Sequence, residues 1–205
     1  MDRRDVLKYT ALLTGYAVTA PLASALLSGC QAEPDTGGYA PKFFTNEEYA
    51  TIAEMAETML PPTKTPGAKE LGVPQFIDLM MTDYSKPEDQ ERWRAGLQGY
   101  MQAAEENKGK AFTRLGADDK LAYLNEVDAA AKTEAEALDG TPPELDDEGM
   151  PIDRYPFFLR FKSAAVGAYF SSEKIGTEVL AYDPVPGQYS GCMPLEDNGG
   201  VSWSL

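Results

Sequence analysis

From residue 44 onward the apolar positions recur at helical spacing, and nowhere do they alternate over a convincing pair of strands. The first repeat predicts a helix on Tyr49, Ile52, Ala53, Ala56, Met59 and Leu60. Thr45 with Glu48 three residues on is a capping box, and Phe44 with Tyr49 a matching hydrophobic staple. Pro61-Pro62 ends that helix, and Thr63 to Ala68 is rich in turn residues. Gly72-Val73-Pro74 opens a second helix on Phe76, Ile77, Met80, Met81 and Tyr84, with Pro74 in its first turn. Ser85 and Glu88 read as another capping box ahead of a third helix on Trp93, Leu97, Tyr100, Met101 and Ala104.

A fourth helix is predicted from about Ala117 to Leu138, on Leu121, Leu124, Val127 and Ala131. The acidic stretch Asp139 to Pro151 then reads as a solvated surface insertion. Its alternative, a calcium site from Asp146, Asp147 and Glu148, does not fit the EF-hand spacing. The most apolar helix runs from Pro156 to about Phe170. It carries Phe157, Phe158, Phe161, Ala164, Ala165, Val166, Ala168 and Tyr169, and its alanines together with Gly167 let neighbours approach closely. A short helix from about Ser172 to Ala181 closes the series. The chain from Tyr182 to Leu195 is rich in proline and aromatics, so it is extended. Such a tail either wraps its own domain or lies along a partner. The expected fold is all-α: an irregular or orthogonal bundle of about five to six helices with an extended Pro-rich C-terminal tail.

The pattern ahead of residue 44 is different. Arg3-Arg4 with Leu7 and Lys8 looks like a twin-arginine export signal, although Asp2 and Val6 depart from the usual residues. A weakly apolar stretch, Tyr9 to Leu27, follows, broken by Pro21. Leu27-Ser28-Gly29-Cys30 looks like a lipobox, where Cys30 is acylated and the chain is cut before it. The organisation expected is a lipoprotein signal over 1–29, a lipid-anchored tether over 30–43 and one helical domain over 44–205. The alternative is an uncleaved N-terminal anchor. Stable anchoring takes more than one lipid chain, which lipoprotein maturation supplies. The expected location is the periplasmic side of a bacterial membrane, and Gln31 after the cysteine favours the outer one.

Composition narrows the chemistry. Removing 29 of 205 residues leaves 176, enough for one domain with a core. The formal net charge is −15, and the leader carries Arg3, Arg4 and Lys8 against Asp2 and Asp5, so the rest carries −16. That disfavours nucleic acid, whose phosphates need basic partners. With no histidine, the chain cannot build a Cys-x-x-Cys-His haem site, a His-based zinc site or a Ser-His-Asp triad. With two cysteines, no iron–sulfur cluster held by four cysteines can form within the chain, and no Gly-x-Gly-x-x-Gly follows a strand. No catalytic, cofactor-binding or metal-binding residue is expected.

Four stretches resemble the gluconate 2-dehydrogenase subunit 3 family, the small subunits of membrane-bound flavin-dependent sugar or sugar-acid dehydrogenases. They are the twin-arginine leader, Ala56 to Thr63, Thr65 to Pro74, and Ser172-Glu173-Lys174-Ile175-Gly176 through to Leu195. The resemblance implies a non-catalytic subunit without a cofactor. Its partners would be a large flavoprotein carrying FAD and a cytochrome c subunit carrying haem c. The flavoprotein would cross the membrane through the twin-arginine translocase already folded, bound to this chain. A stand-alone periplasmic lipoprotein binding a ligand or envelope component is one alternative. An enzyme working with a carboxylate pair alone is another. With Cys30 acylated, Cys192 is the only thiol left in an oxidising compartment. It is either a buried, inert thiol or the site of an inter-subunit disulfide, with Tyr182, Pro184, Pro186, Tyr189 and Met193 along the same interface.

Overall fold

The computed structural model describes residues 34–142, 144–145, 152–185, 187 and 192–204. Among the described residues six α-helices make up the bundle: α1 (Asn46–Met59), α2 (Val73–Asp83), α3 (Pro87–Lys108), α4 (Ala117–Leu138), α5 (Phe157–Phe170) and α6 (Glu173–Glu178). Single 3-10 turns lie at Phe112–Arg114 and Leu195–Asn198. No strand is present among the described residues beyond one isolated bridge, Ala181 to Trp203. The fold is the all-α bundle that the helical spacing predicts.

Two helices organise it. Helix α1 packs against α2, α3 and α4, and α5 packs against α2, α3, α4 and α6. Because α1 has neighbours on several sides, its burial exceeds one stripe: Met55 is fully buried beside Ile52 and Ala56, and Glu48 and Thr51 are buried too. The capping box at its start is formed. Thr45 Oγ1 accepts from the Glu48 N–H at 3.2 Å, and the Glu48 carboxylate accepts from the Thr45 N–H at 2.9 Å. Phe44 and Tyr49 are both buried, but their rings reach in different directions: Phe44 onto Trp93 of α3, Tyr49 onto Tyr39.

The core is continuous and rich in rings. Trp93, Tyr100, Phe112, Tyr123, Phe157 and Phe161 follow one another at centroid separations of 5.2–6.5 Å, within the range where tilted and edge-on pairs are favourable. The point of close approach is Gly96 on α3, where an added Cβ would sit 2.5 Å from the Cβ of Phe157.

Several sequence expectations need correction. Gly167 is not a packing glycine: it faces open space, and Gly96 has that role instead. Ser85 does not cap α3. Pro87 occupies the first turn, which makes Lys86 the cap residue, and the Ser85 hydroxyl donates to the Met80 carbonyl at the end of α2. Phe76, Tyr84 and Leu121 are exposed, because α2 and α4 bury one side only and the apolar stripe read from their spacing is too wide. The last helix ends at Glu178, and the chain after Pro194 makes a 3-10 turn.

Candidate functional site

Three of the family-like stretches meet at one end of the bundle. The loop after α1 folds back so that the Ala68 N–H donates to the Leu60 carbonyl at 3.0 Å, and the Lys69 N–H to the Glu57 carboxylate at 2.8 Å. Gly67 fits closely here, since an added Cβ would lie 2.9 Å from the Pro62 ring and 2.7 Å from a Glu57 oxygen. The Tyr169 hydroxyl, near the end of α5, lies 3.0 Å from both Thr65 Oγ1 and the Pro66 carbonyl. Lys174 of α6 pairs with Glu70 at 2.6 Å on the surface. Residues 57–70 are thereby fixed to the place where α5 passes into α6, and Ile175 is fully buried beneath.

The C-terminal segment departs from this end. It is held to itself by the Ala181–Trp203 bridge: the Ala181 N–H donates to Ser202 and the Ser204 N–H to Ala181, each at 2.9 Å. Its apolar side chains face outward. Tyr182 is 56% exposed, Val185 81% and Trp203 51%, and Met193, Leu195 and Val201 are exposed as well. Phe170 at the end of α5 adds to them. Scattered apolar residues are ordinary on a surface, but a dense run of large ones marks a contact site. Pro184 is exposed, and Cys192 is an exposed free thiol rather than a buried one. Arg3, Arg4, Cys30, Pro186 and Tyr189, like the proposed calcium ligands Asp146, Asp147 and Glu148, lie outside the described residues.

A second feature was not anticipated from the sequence. Asp78 of α2 is completely buried. Its Oδ2 accepts from the Tyr39 hydroxyl at 3.0 Å and the Lys42 N–H at 2.8 Å, and its Oδ1 from the Phe43 and Phe44 N–H groups, each at 3.0 Å. Arg94 of α3 donates to the Phe43 carbonyl at 2.7 Å, and its guanidinium lies 4.3 Å from the centre of the Phe43 ring. Residues 39–44, read from the sequence largely as tether, thus form a strap seated on the bundle. Burial, together with the Asp78 carboxylate, raises the pKa of the Tyr39 hydroxyl. An aspartate between Ile77 and Leu79 is the only sequence signal, and a surface aspartate looks the same.

Two other polar features are structural or open to solvent. Glu54 of α1 binds Lys69 and Lys120, linking α1 to the 60–72 loop and to α4. A cavity of about 600 Å³ lies at the base of the acidic loop, between residues 138–141 and 152–155. Its Arg154 already donates to Thr141 Oγ1 and the Pro142 carbonyl, each at 2.9 Å. Among the described residues no group of three or more acidic or cysteine side chains is placed to hold a metal ion. No helix among them is long and apolar enough to cross a membrane.

In comparisons with known proteins, the family model described as gluconate 2-dehydrogenase subunit 3 matches residues 46–187. Neither a curated protein nor a solved structure matches the chain. The family match takes in α1 to α6, the 60–72 loop and the first part of the exposed C-terminal segment; the strap lies just ahead of it.

Proposed function

The chain belongs to the gluconate 2-dehydrogenase subunit 3 family, and from that premise we propose that it is the non-catalytic small subunit of a membrane-bound FAD-dependent dehydrogenase complex. In this reading it assembles with the flavoprotein and carries it, folded, through the twin-arginine translocase, under the signal at Arg3-Arg4. Cys30 then anchors the exported pair to the membrane, where a cytochrome c subunit takes the electrons. FAD and haem c belong to the partners. The observation that carries the assembly role is the outward-facing run of Phe170, Tyr182, Val185, Met193, Leu195 and Trp203, joined to the family-like end of the bundle. Apolar area of this kind gains by leaving water, and aromatic side chains dominate the energetics of such contacts. Cys192 is exposed on the same segment. Exchange with a disulfide donor in the periplasm would join it to a flavoprotein thiol and lock a complex already packed.

The test is co-expression with the flavoprotein subunit, followed by fractionation and purification. The pair should co-purify with bound FAD. Replacing both Arg3 and Arg4 by Lys should hold both subunits in the cytoplasm. A flavoprotein that reaches the periplasm unaided, or fails to co-purify, would remove the escort role and leave a stand-alone lipoprotein. Non-reducing electrophoresis decides the covalent link: subunits that migrate separately while Cys192 reacts with a thiol reagent exclude it.

A further inference from the structure

We propose that Asp78 is a latch that holds the strap of residues 39–44 to the bundle, keeping the link to the lipid short and shielding it from proteolysis. The proposal rests on the reading of Cys30 as the acylated residue. The N–H groups of three successive residues, Lys42, Phe43 and Phe44, curve around one carboxylate, with the Tyr39 hydroxyl as the fourth donor. Successive backbone N–H groups converge on one anion as they do in an anion-binding nest, here with the anion supplied by the protein's own α2. Arg94 holds the strap from the acceptor side through the Phe43 carbonyl and ring. Lifting the strap would break four hydrogen bonds to one carboxylate, and bonds to a charged acceptor are among the stronger ones. The strap and the packing of α2 against α1 therefore support each other.

The latch changes the length of free chain. With Tyr39 seated, only residues 31–38, eight of them, separate the lipid from the bundle. They reach at most about 28 Å when fully extended. Undone to Phe43, the link would be residues 31–43, thirteen of them, with a reach of about 45 Å. A globular domain of this size is roughly 40 Å across. The latched link is shorter than that, so the bundle rides close to the lipid surface with the strap side toward it. An acidic chain gains nothing from anionic lipid by charge, so the short link is what keeps it there.

Lys42 supplies the readout, because trypsin cleavage after it separates the bundle from the lipid. Cleavage of a folded protein follows the fraction of time that the segment is open. Membranes carrying the full chain are treated with trypsin, and release of a bundle beginning at Phe43 is followed by mass spectrometry. Asp78→Asn should speed that cleavage about tenfold or more, while Lys42→Gln should abolish it. Should Asp78→Asn fail to fold, Tyr39→Phe removes one of the four bonds and should give a several-fold increase, with the chain still folded and its melting temperature lowered by only a few degrees. A folded Asp78→Asn chain cut after Lys42 at the wild-type rate would overturn the latch. A bundle still held on the membrane after complete cleavage would overturn the short link. A wild-type chain not retained on membranes before trypsin would instead defeat the acylation reading, leaving the latch to be judged by the cleavage rate in solution.

Discussion

The strap and the C-terminal segment are both irregular chain leading away from helices, yet they are held in opposite ways. Along the strap, the N–H groups of Lys42, Phe43 and Phe44 find Asp78, the Phe43 carbonyl finds Arg94, and Phe44 is buried against Trp93. In the C-terminal segment, one isolated bridge closes the loop while Tyr182, Val185 and Trp203 face solvent. Irregular backbone that belongs to a fold must have its polar groups answered from within. Apolar side chains left outside on a segment whose ends are tied together suit a surface that is completed by another molecule.

Truncating one aromatic residue in each region separates the two behaviours most directly. Phe44→Ala should cost about 3–4 kcal/mol, the price of an emptied aromatic site in a core, and lower the melting temperature by roughly 10 °C for a domain of this size. Trp203→Ala should change stability by no more than about 0.5 kcal/mol yet weaken the proposed complex with the flavoprotein by about 2 kcal/mol. Thermal unfolding of the chain and titration with its partner give both numbers. If Trp203→Ala unfolds the chain and leaves the complex unaffected, the segment packs on its own domain and the contrast is void.

The two regions also differ in how they could be read from sequence. Helix α4 was legible to the residue, from Ala117 to Leu138, because its period is regular and its ends have few competing signals. The Thr45–Glu48 capping box was legible because both partners are local. The tail was recognised by its proline and aromatic content. Asp78, in contrast, joins residues 34 to 39 positions apart in sequence, and no periodicity reports a contact of that range. The same holds for Glu54, whose partner Lys120 is 66 positions away. Ser85 misled for a local reason: a proline at the first turn moves the cap by one residue, and the serine finds a carbonyl behind it.

A pH series sharpens the contrast further. Glu54 joins α1, the 60–72 loop and α4 through Lys69 and Lys120. Partial burial pushes its pKa up, but the two lysines outweigh that and hold it below the ordinary value of 4.5. A carboxyl depressed in the folded state contributes stability above its unfolded pKa and loses it as the pH falls through the folded one. Glu54→Gln should therefore cost about 1–2 kcal/mol at neutral pH, and the gap to wild type should close as the pH drops below about 4.5. Denaturant melts at several pH values would show it, and a gap independent of pH would assign the loss to packing instead. Among the described residues no such network ties the C-terminal segment, so Tyr182→Ala should show little pH-dependent difference over the same range.

The smallest effect separates two tyrosines that composition treats alike. The Tyr39 hydroxyl donates to Asp78, whereas the Tyr100 hydroxyl is buried with no hydrogen-bond partner, and its ring sits among Phe112, Tyr123 and Phe157. Removing a hydroxyl that has a charged partner costs about 1–2 kcal/mol, while removing an unanswered one costs nothing or stabilises. Tyr39→Phe should thus destabilise by that amount, and Tyr100→Phe should stay within about 0.5 kcal/mol of wild type at pH 7, on either side. Alkaline pH adds a sign. Burial raises the Tyr100 pKa far above the ordinary value of 10.0, with Tyr123 adding to it. The unfolded chain releases this proton near pH 10 while the folded chain keeps it, so stability falls as the pH rises past that point. Tyr100→Phe has no proton to release and should become the more stable protein there. Tyr49, pushed up to about 12 by burial, keeps part of the alkaline slope in both proteins. A Tyr100→Phe chain that loses more than about 1 kcal/mol at neutral pH would mean that the hydroxyl has an ordered water or another acceptor, and that this part of the core is as fully answered as the strap.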